Sequence, residues 1–361
     1  MKKLLAFLLV LVMCCTLVAC GAATKDSDTS DTSSAGESTT QDTAPEEKNY
    51  TLKLGTVVAS TNSLNVVLEE YAKRVNERTD GTITIEIYPN SQLGTALQQI
   101  EGVRLGSQDM YADGLSWFQD YAGMENLRII GMPGAFESND HVVAFFESEK
   151  GVQLWDTLEN SYNIKVLTTS WGRVPSGWML QKSISTPDEW HGLKLRVPEQ
   201  QIWSLSYEYL GATPVPVAWG DTYSALQQGM VEGVDGPPNI MYNMSFQEVT
   251  SSLIMSKHFY NQAGPIINAE LFEGMSERQQ AALIDCANEL GEMHTSMAYE
   301  EQATQLEDLK ANGYEVIDLT TEEQQTLFGP LYTDDFKAIV ENPETGLWEE
   351  GLIDYVKDLA S

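Results

Sequence analysis

Residues 52–87 read LKLGTVVASTNSLNVVLEEYAKRVNERTDGTITIEI, and their hydrophobic rhythm changes twice. Residues 52–57 read as a strand. Leu64, Val67, Leu68, Tyr71, Ala72 and Val75 then recur at helical spacing until Thr79-Asp80-Gly81 stops them. Ile83, Ile85 and Ile87 alternate with Thr82, Thr84 and Glu86, a second strand with one apolar and one polar face. Strand, helix, strand in that order is a βαβ unit, which implies parallel strands in a sheet covered by helices.

Downstream the rhythm continues. Residues 95–105 suit a helix closed by Gly106, residues 109–112 a short strand, residues 142–158 a helix and residues 164–170 a strand. After Trp171-Gly172 a second set begins, with strands near 178–181 and 193–197 and helices near 201–210 and 221–228, the pattern of a second α/β lobe. A strand at 264–269 precedes a helix that starts at Ser276, where Ser276 and Gln279 have capping-box spacing, and extends to Ala311 before an Asn312-Gly313 stop. A helix of roughly 36 residues is about 54 Å long, so it is expected to cross both lobes. Gly291 inside it is either a hinge or a place where another segment packs closely.

Upstream, Met1-Lys2-Lys3 and an apolar run over residues 4–18 have the anatomy of an export signal, too short for a membrane span of about 20 residues. Leu17-Val18-Ala19-Cys20 resembles a bacterial lipobox. That implies a signal over residues 1–19, acylation of Cys20 and a membrane-anchored, extracytoplasmic protein; an ordinary cleaved signal is the alternative. Residues 20–49 hold no large apolar side chain and read as a disordered tether. Roughly 310 residues follow, enough for two lobes.

The formal charge is −32, from 53 acidic and 21 basic residues, which argues against nucleic acid as a partner and leans towards a monomer. Of four cysteines, only Cys286 remains after the signal and Cys20, so no intrachain disulfide is expected. Cys286 shares a helical face with Leu283, Ala287 and Leu290 and reads as a core thiol. His141, His191, His258 and His294 are too scattered for a metal motif. No nucleophile elbow, phosphate loop or dinucleotide fingerprint occurs, so no enzyme, metal or cofactor is expected.

Residues 192–198, Gly-Leu-Lys-Leu-Arg-Val-Pro, are different in kind. Leu193, Leu195 and Val197 share one strand face, which puts Lys194 and Arg196 on the other. An arginine at the end of a strand can aim its planar fork at a cleft and pair with a carboxylate; a structural salt bridge is the other use of the same placement.

Four motifs in this order resemble the DctP-type solute receptors of TRAP transporters: Tyr88-Pro89-Asn90-Ser91-Gln92-Leu93-Gly94, the 192–198 strand, Gly211-Ala212-Thr213-Pro214, and Tyr223-Ser224-Ala225-Leu226-Gln227-Gln228-Gly229. The resemblance covers residues 50 to about 309. It implies an α/β, two-lobed, periplasmic-binding-protein-like fold of type II character with the long helix spanning both lobes. Lobe I would comprise 50–172 and about 262–301, and lobe II 173–261 and about 302–361. It further implies capture of a small organic acid by lobe closure and delivery to TRAP-type membrane permease subunits. The same fold could serve as a co-receptor for a membrane sensor.

By this resemblance Arg196 takes the carboxylate, Trp219 stands beside the ligand, and Asp113, Gly114 and Trp117 form the wall of the first lobe. Asp235 and Gly236 replace a Glu-Asn pair usual in such receptors. The second arginine usual near Pro175 or Ser176 is absent, and Arg173 is the nearest substitute. Trp171, Trp219 and Trp117 would give an aromatic pocket suited to sugar acids or aromatic acids, although tryptophans serve equally as core residues.

Overall fold

The computed structural model describes residues 47–184, 187–344 and 346–360. The signal, Cys20 and nearly all of the tether lie outside the described residues. Twelve strands form among the described residues: β1 (Tyr50–Gly55), β2 (Ile83–Tyr88), β3 (Met110–Gly114), β4 (Ile164–Val166), β5 (Trp171–Gly172), β6 (Gly177–Leu180), β7 (Lys194–Val197), β8 (Thr213–Pro216), β9 (Gly233–Gly236), β10 (Ser252–Met255), β11 (Gln262–Asn268) and β12 (Glu315–Asp318).

The opening βαβ unit forms as read. Leu52 pairs with Ile85 and Leu54 with Ile87 in a parallel β1–β2 register. The connecting helix Ser63–Arg78 starts where the Asn62 side chain accepts from the Leu64 N–H, and it buries Leu64, Val67, Leu68, Tyr71 and Val75. Asp80 and Gly81 then turn the chain with φ of 49° and 81°. These strands begin a six-stranded sheet in the order β2-β1-β3-β11-β4, with β5 also pairing β11. A second six-stranded sheet has the order β12-β10-β6-β9-β7-β8. Strands of both sheets end at one cleft, so residues just past strand ends face each other across it.

Two long helices of the sequence reading are each divided. The expected helix over 142–158 is Asn139–Glu147 followed by Glu149–Tyr162, because Ser148 adopts φ −66° and ψ 166° and caps the second helix through its hydroxyl on the Gly151 N–H. The capping box at Ser276 and Gln279 forms, but its helix ends at Glu289, and Gly291–Ala311 is a separate helix of 21 residues. At 1.5 Å per residue it is about 31 Å long. It touches the Ser63–Arg78 helix and β5 on one side and the Pro238–Asn243 helix and β12 on the other. A Cβ on Gly291 would strike Ser170, so close packing is the reason for glycine there.

Beyond β12 the helices Thr321–Phe328, Asp334–Val340 and Leu352–Asp358 bury Phe336, Val340, Ile353 and Val356 in one cluster with Ile129, Phe145 and Phe146. His141 Nε2 lies 2.7 Å from the Val356 carbonyl, which ties this tail to the Asn139–Glu147 helix. Cys286 is buried among Leu283, Ala287 and Leu290, and burial pushes its thiol pKa up.

Candidate ligand-binding site

Arg196 sits near the end of β7, between β8 and β9. Its strand face is not solvent-exposed as Lys194's is: the side chain is only 3% exposed and turns into the cleft. Nε donates to the Val217 carbonyl at 2.9 Å, which fixes the plane of the guanidinium. Its guanidinium carbon lies 5.0 Å from the Trp219 ring centre. Among the described residues no carboxylate forms an ion pair with it, so the salt-bridge alternative for this arginine does not hold. Burial lowers its pKa to about 10, with Asp235 and Glu199 acting in the opposite direction at longer range; it stays cationic at neutral pH.

The other charged groups of the cleft have partners. Arg173, just past β5, places Nη1 3.3 Å from Asp113 Oδ1 at the end of β3. Asp113 Oδ2 also accepts from Tyr111 at 3.2 Å and from the Trp117 indole N–H at 3.1 Å, so the carboxylate is held on both oxygens. Asp235 on β9 accepts from the Tyr207 hydroxyl and lies 3.1 Å from His258 Nε2. The Trp178 indole N–H donates to the Tyr207 hydroxyl at 2.8 Å, and Ser256 Oγ lies 2.6 Å from His258 Nδ1. Burial, and then Asp235, keep the Tyr207 phenol well above its ordinary pKa, so it is the neutral donor of this network.

The cleft encloses about 720 Å³ of atom-free space, partly continuous with solvent. Arg196, Arg173, Trp219, Gly236, Asp235, Asp113 and Trp117 all line it. Gly236 leaves room for Trp219, whose ring a Cβ would approach to 3.3 Å. Gly114 does not line it; a Cβ there would come within 2.5 Å of Arg173 Nη1, so its bareness seats that arginine. Trp171 does not reach the cleft either. It is fully buried, donates to the Ala287 carbonyl at 2.7 Å and stacks on His294 at 5.3 Å.

Sequence reasoning missed further lining residues. Trp203 and Phe259 pack ring against ring at 4.7 Å, and Gln200 and Asn261 converge on Ser116, donating to its carbonyl and its hydroxyl at 3.0 Å each. Gln200 lies two residues past the strand-ending Pro198, which was the available signal. Asn261 and Phe259 carried none.

Two sheets whose strand ends face one cleft, with an arginine inside it that has no ion-pair partner among the described residues, define a two-lobed solute-binding protein. The family model described as bacterial extracellular solute-binding protein, family 7 (DctP), matches residues 54–332, and the chain belongs to that family. It is an extracytoplasmic solute-binding receptor of the TRAP type. Among its relatives, the 2,3-diketo-L-gulonate-binding periplasmic protein YiaO of Escherichia coli is 28% identical over 269 residues, 74% of this chain and 80% of that protein. A TRAP periplasmic solute-binding protein of Desulfovibrio salexigens, solved with orotic acid, superposes with a TM-score of 0.78 at 24% identity over 86% of this chain and 98% of that one. One from Roseobacter denitrificans, solved with L-galactonate, gives 0.76 at 24% identity over 87% and 100%. At that identity the two structures speak to the fold.

Proposed function

We propose that this receptor captures a small monocarboxylate by closing two lobes on it, with Arg196 pairing with the carboxylate, and hands the acid to TRAP-type membrane permease subunits. The observation that carries this reading is the buried Arg196 guanidinium, oriented by Val217 and Trp219 and unmatched by any carboxylate among the described residues. Arg173 is paired with Asp113, and Asp235 is hydrogen-bonded by Tyr207 and held near His258, not ion-paired with Arg196, which leaves the Arg196 guanidinium without a carboxylate partner among the described residues. One carboxylate answers it. Trp117, Trp203, Trp219 and Phe259 supply flat apolar walls for a ring or a carbon chain.

The relatives named above hold acids, in line with this reading. The two sheets, with the long helix against both, are taken as the lobes that close. Leu17-Val18-Ala19-Cys20 supports a lipid anchor at Cys20, and the charge of −32 supports a monomer. The ligand is expected to leave unchanged, so turnover on long incubation counts against the reading.

A thermal-shift panel of sugar acids, aromatic monocarboxylates, dicarboxylates and neutral sugars, run beside Arg196→Ala, tests it. A ligand at a hundredfold excess over Kd adds about 2.7 kcal/mol of stability. Stabilisation by an acid class that is lost in Arg196→Ala is expected. Stabilisation by neutral sugars that survives the substitution overturns the assignment.

A further inference from the structure

We propose that Glu301 is the positioning residue that holds the two lobes in register beside the ligand cleft; the proposal rests on the receptor reading above. Glu301 lies within the Gly291–Ala311 helix, and its carboxylate takes five hydrogen bonds from two separate parts of the fold. On one side Oε2 accepts from Asn62 Nδ2 at 3.2 Å, the Ser63 N–H at 3.3 Å and the Ser63 hydroxyl at 2.7 Å. On the other, Oε2 accepts from Asn239 Nδ2 at 2.8 Å and Oε1 from Asn243 Nδ2 at 2.7 Å. Thr61 Oγ1 also reaches Asn243 Oδ1 at 3.2 Å, so the two parts meet directly at this point.

Each side continues into the cleft wall. Asn62 and Ser63 open the helix that follows cleft residues Val57 and Val58, in the lobe of the first sheet. Asn239 and Asn243 belong to the Pro238–Asn243 helix, which begins directly after cleft residues Gly236 and Pro237 at the end of β9, in the lobe of the second sheet. Asn62, Ser63 and Asn239 also line a small internal cavity whose other walls include Arg173 and Ile240, both of which line the ligand cleft. A movement of either lobe at Glu301 therefore acts on segments that lead directly into the cleft wall.

The chemistry requires a carboxylate. All five partners present N–H or O–H groups, so an anion with acceptor capacity on both oxygens satisfies them together, while an amide turns a donor towards at least one of them. Among the described residues no cation forms an ion pair with Glu301, so its charge is answered by these donors alone.

The test uses the full chain with Glu301→Gln, and Glu300→Gln on the exposed face of the same helix as the control. Hydrogen–deuterium exchange without ligand is read at residues 59–66 and 238–245. Dissociation of orotate and L-galactonate is followed by tryptophan fluorescence. Glu301→Gln is expected to speed exchange at both segments together and to raise the dissociation rate at least tenfold, with little change in association; Glu300→Gln is expected to do neither. A purely local structural role would loosen the helix without moving dissociation.

Unchanged exchange at either segment, or dissociation within twofold of the parent, overturns the proposal. If Glu301→Gln does not fold, Asn239→Ala removes one of the Oε2 donors and leaves the Thr61–Asn243 contact in place. It is expected to speed exchange at residues 59–66, across the carboxylate in the other lobe, and no change there overturns the proposal. If the parent protein binds no acid, the receptor reading fails, and the exchange measurement still decides the role of Glu301.

Discussion

The Arg196 guanidinium carbon lies 5.0 Å from the centre of the Trp219 ring, and Phe246 packs against the same indole at 5.1 Å and 60°. A cation over an indole face gains roughly 0.5–2 kcal/mol, more as water is excluded. Trp219 therefore both orients the Arg196 charge that is proposed to take the carboxylate and forms a wall of the cleft. Trp219→Ala is expected to weaken binding about tenfold or more by calorimetry, while Trp219→Phe keeps a ring face and loses less. Equal affinity in Trp219→Ala would remove this residue from the binding surface.

Gly236 carries a second prediction. A Cβ at this position would sit 3.3 Å from the Trp219 ring and 3.4 Å from Met241 Cγ, so the indole occupies the room that a side chain at 236 would need. Gly236→Asn is expected to destabilise the protein by about 1–3 kcal/mol through overpacking and to weaken ligand binding as Trp219 is displaced. Adding Trp219→Phe should recover part of both losses, because the two positions compete for one volume. Additive losses in the double variant would show that they do not.

The parts of this fold that were legible in the sequence are those where local pattern and tertiary environment agree. The alternation in 52–57 and 83–87 and the helical period between them needed no long-range information. The break at Ser148 was missed although residues 147–151 carry no apolar side chain, because Glu147, Glu149 and Lys150 around it are good helix formers, and the break before Gly291 because contact with Ser170 bears on it. Strand β8 contains Pro214 and Pro216, which only an edge position tolerates, and edge position is a property of the sheet.

At the site, Arg196 could be placed from its strand phase and from resemblance. The hydrogen-bonded hold on Asp235 could not, since Tyr207 and His258 stand 28 and 23 residues away. Trp171 illustrates the same limit. Nothing in the sequence distinguishes an indole that points at Ala287 in the core from one that points into the cleft.

His294 provides a pH prediction. Burial, and then the nearby positive charge of Arg173, depress its pKa from 6.5 to about 3, so the ring is neutral in the folded protein at ordinary pH. The unfolded chain takes up the proton near 6.5 and the folded chain does so only near 3. The contribution of this residue to stability is thus fully present above 6.5 and is lost as pH falls towards 3, at no more than about 1.4 kcal/mol per pH unit. Urea denaturation of His294→Gln across that window should show a shallower decline than the parent. Parallel curves would mean that His294 is not the group that titrates.

The Tyr207 hydroxyl has three partners at once: it donates to Asp235, accepts from the Trp178 indole N–H and lies 2.8 Å from His258 Nε2. Tyr207→Phe leaves the indole N–H without an acceptor and Asp235 with His258 alone, which is expected to cost about 1–3 kcal/mol of stability as buried polar groups lose partners. A second effect follows from position. Asp235 lines the same cleft as Arg196 and already acts on it electrostatically, so a carboxylate released from Tyr207 can turn towards the guanidinium and compete with the ligand for it. Affinity for the acid should then fall by more than the loss of stability accounts for, and His258→Gln, which weakens the same hold from the other side, should act in the same direction. A Tyr207→Phe protein that is less stable but binds as tightly as the parent would show that His258 alone keeps Asp235 away from Arg196.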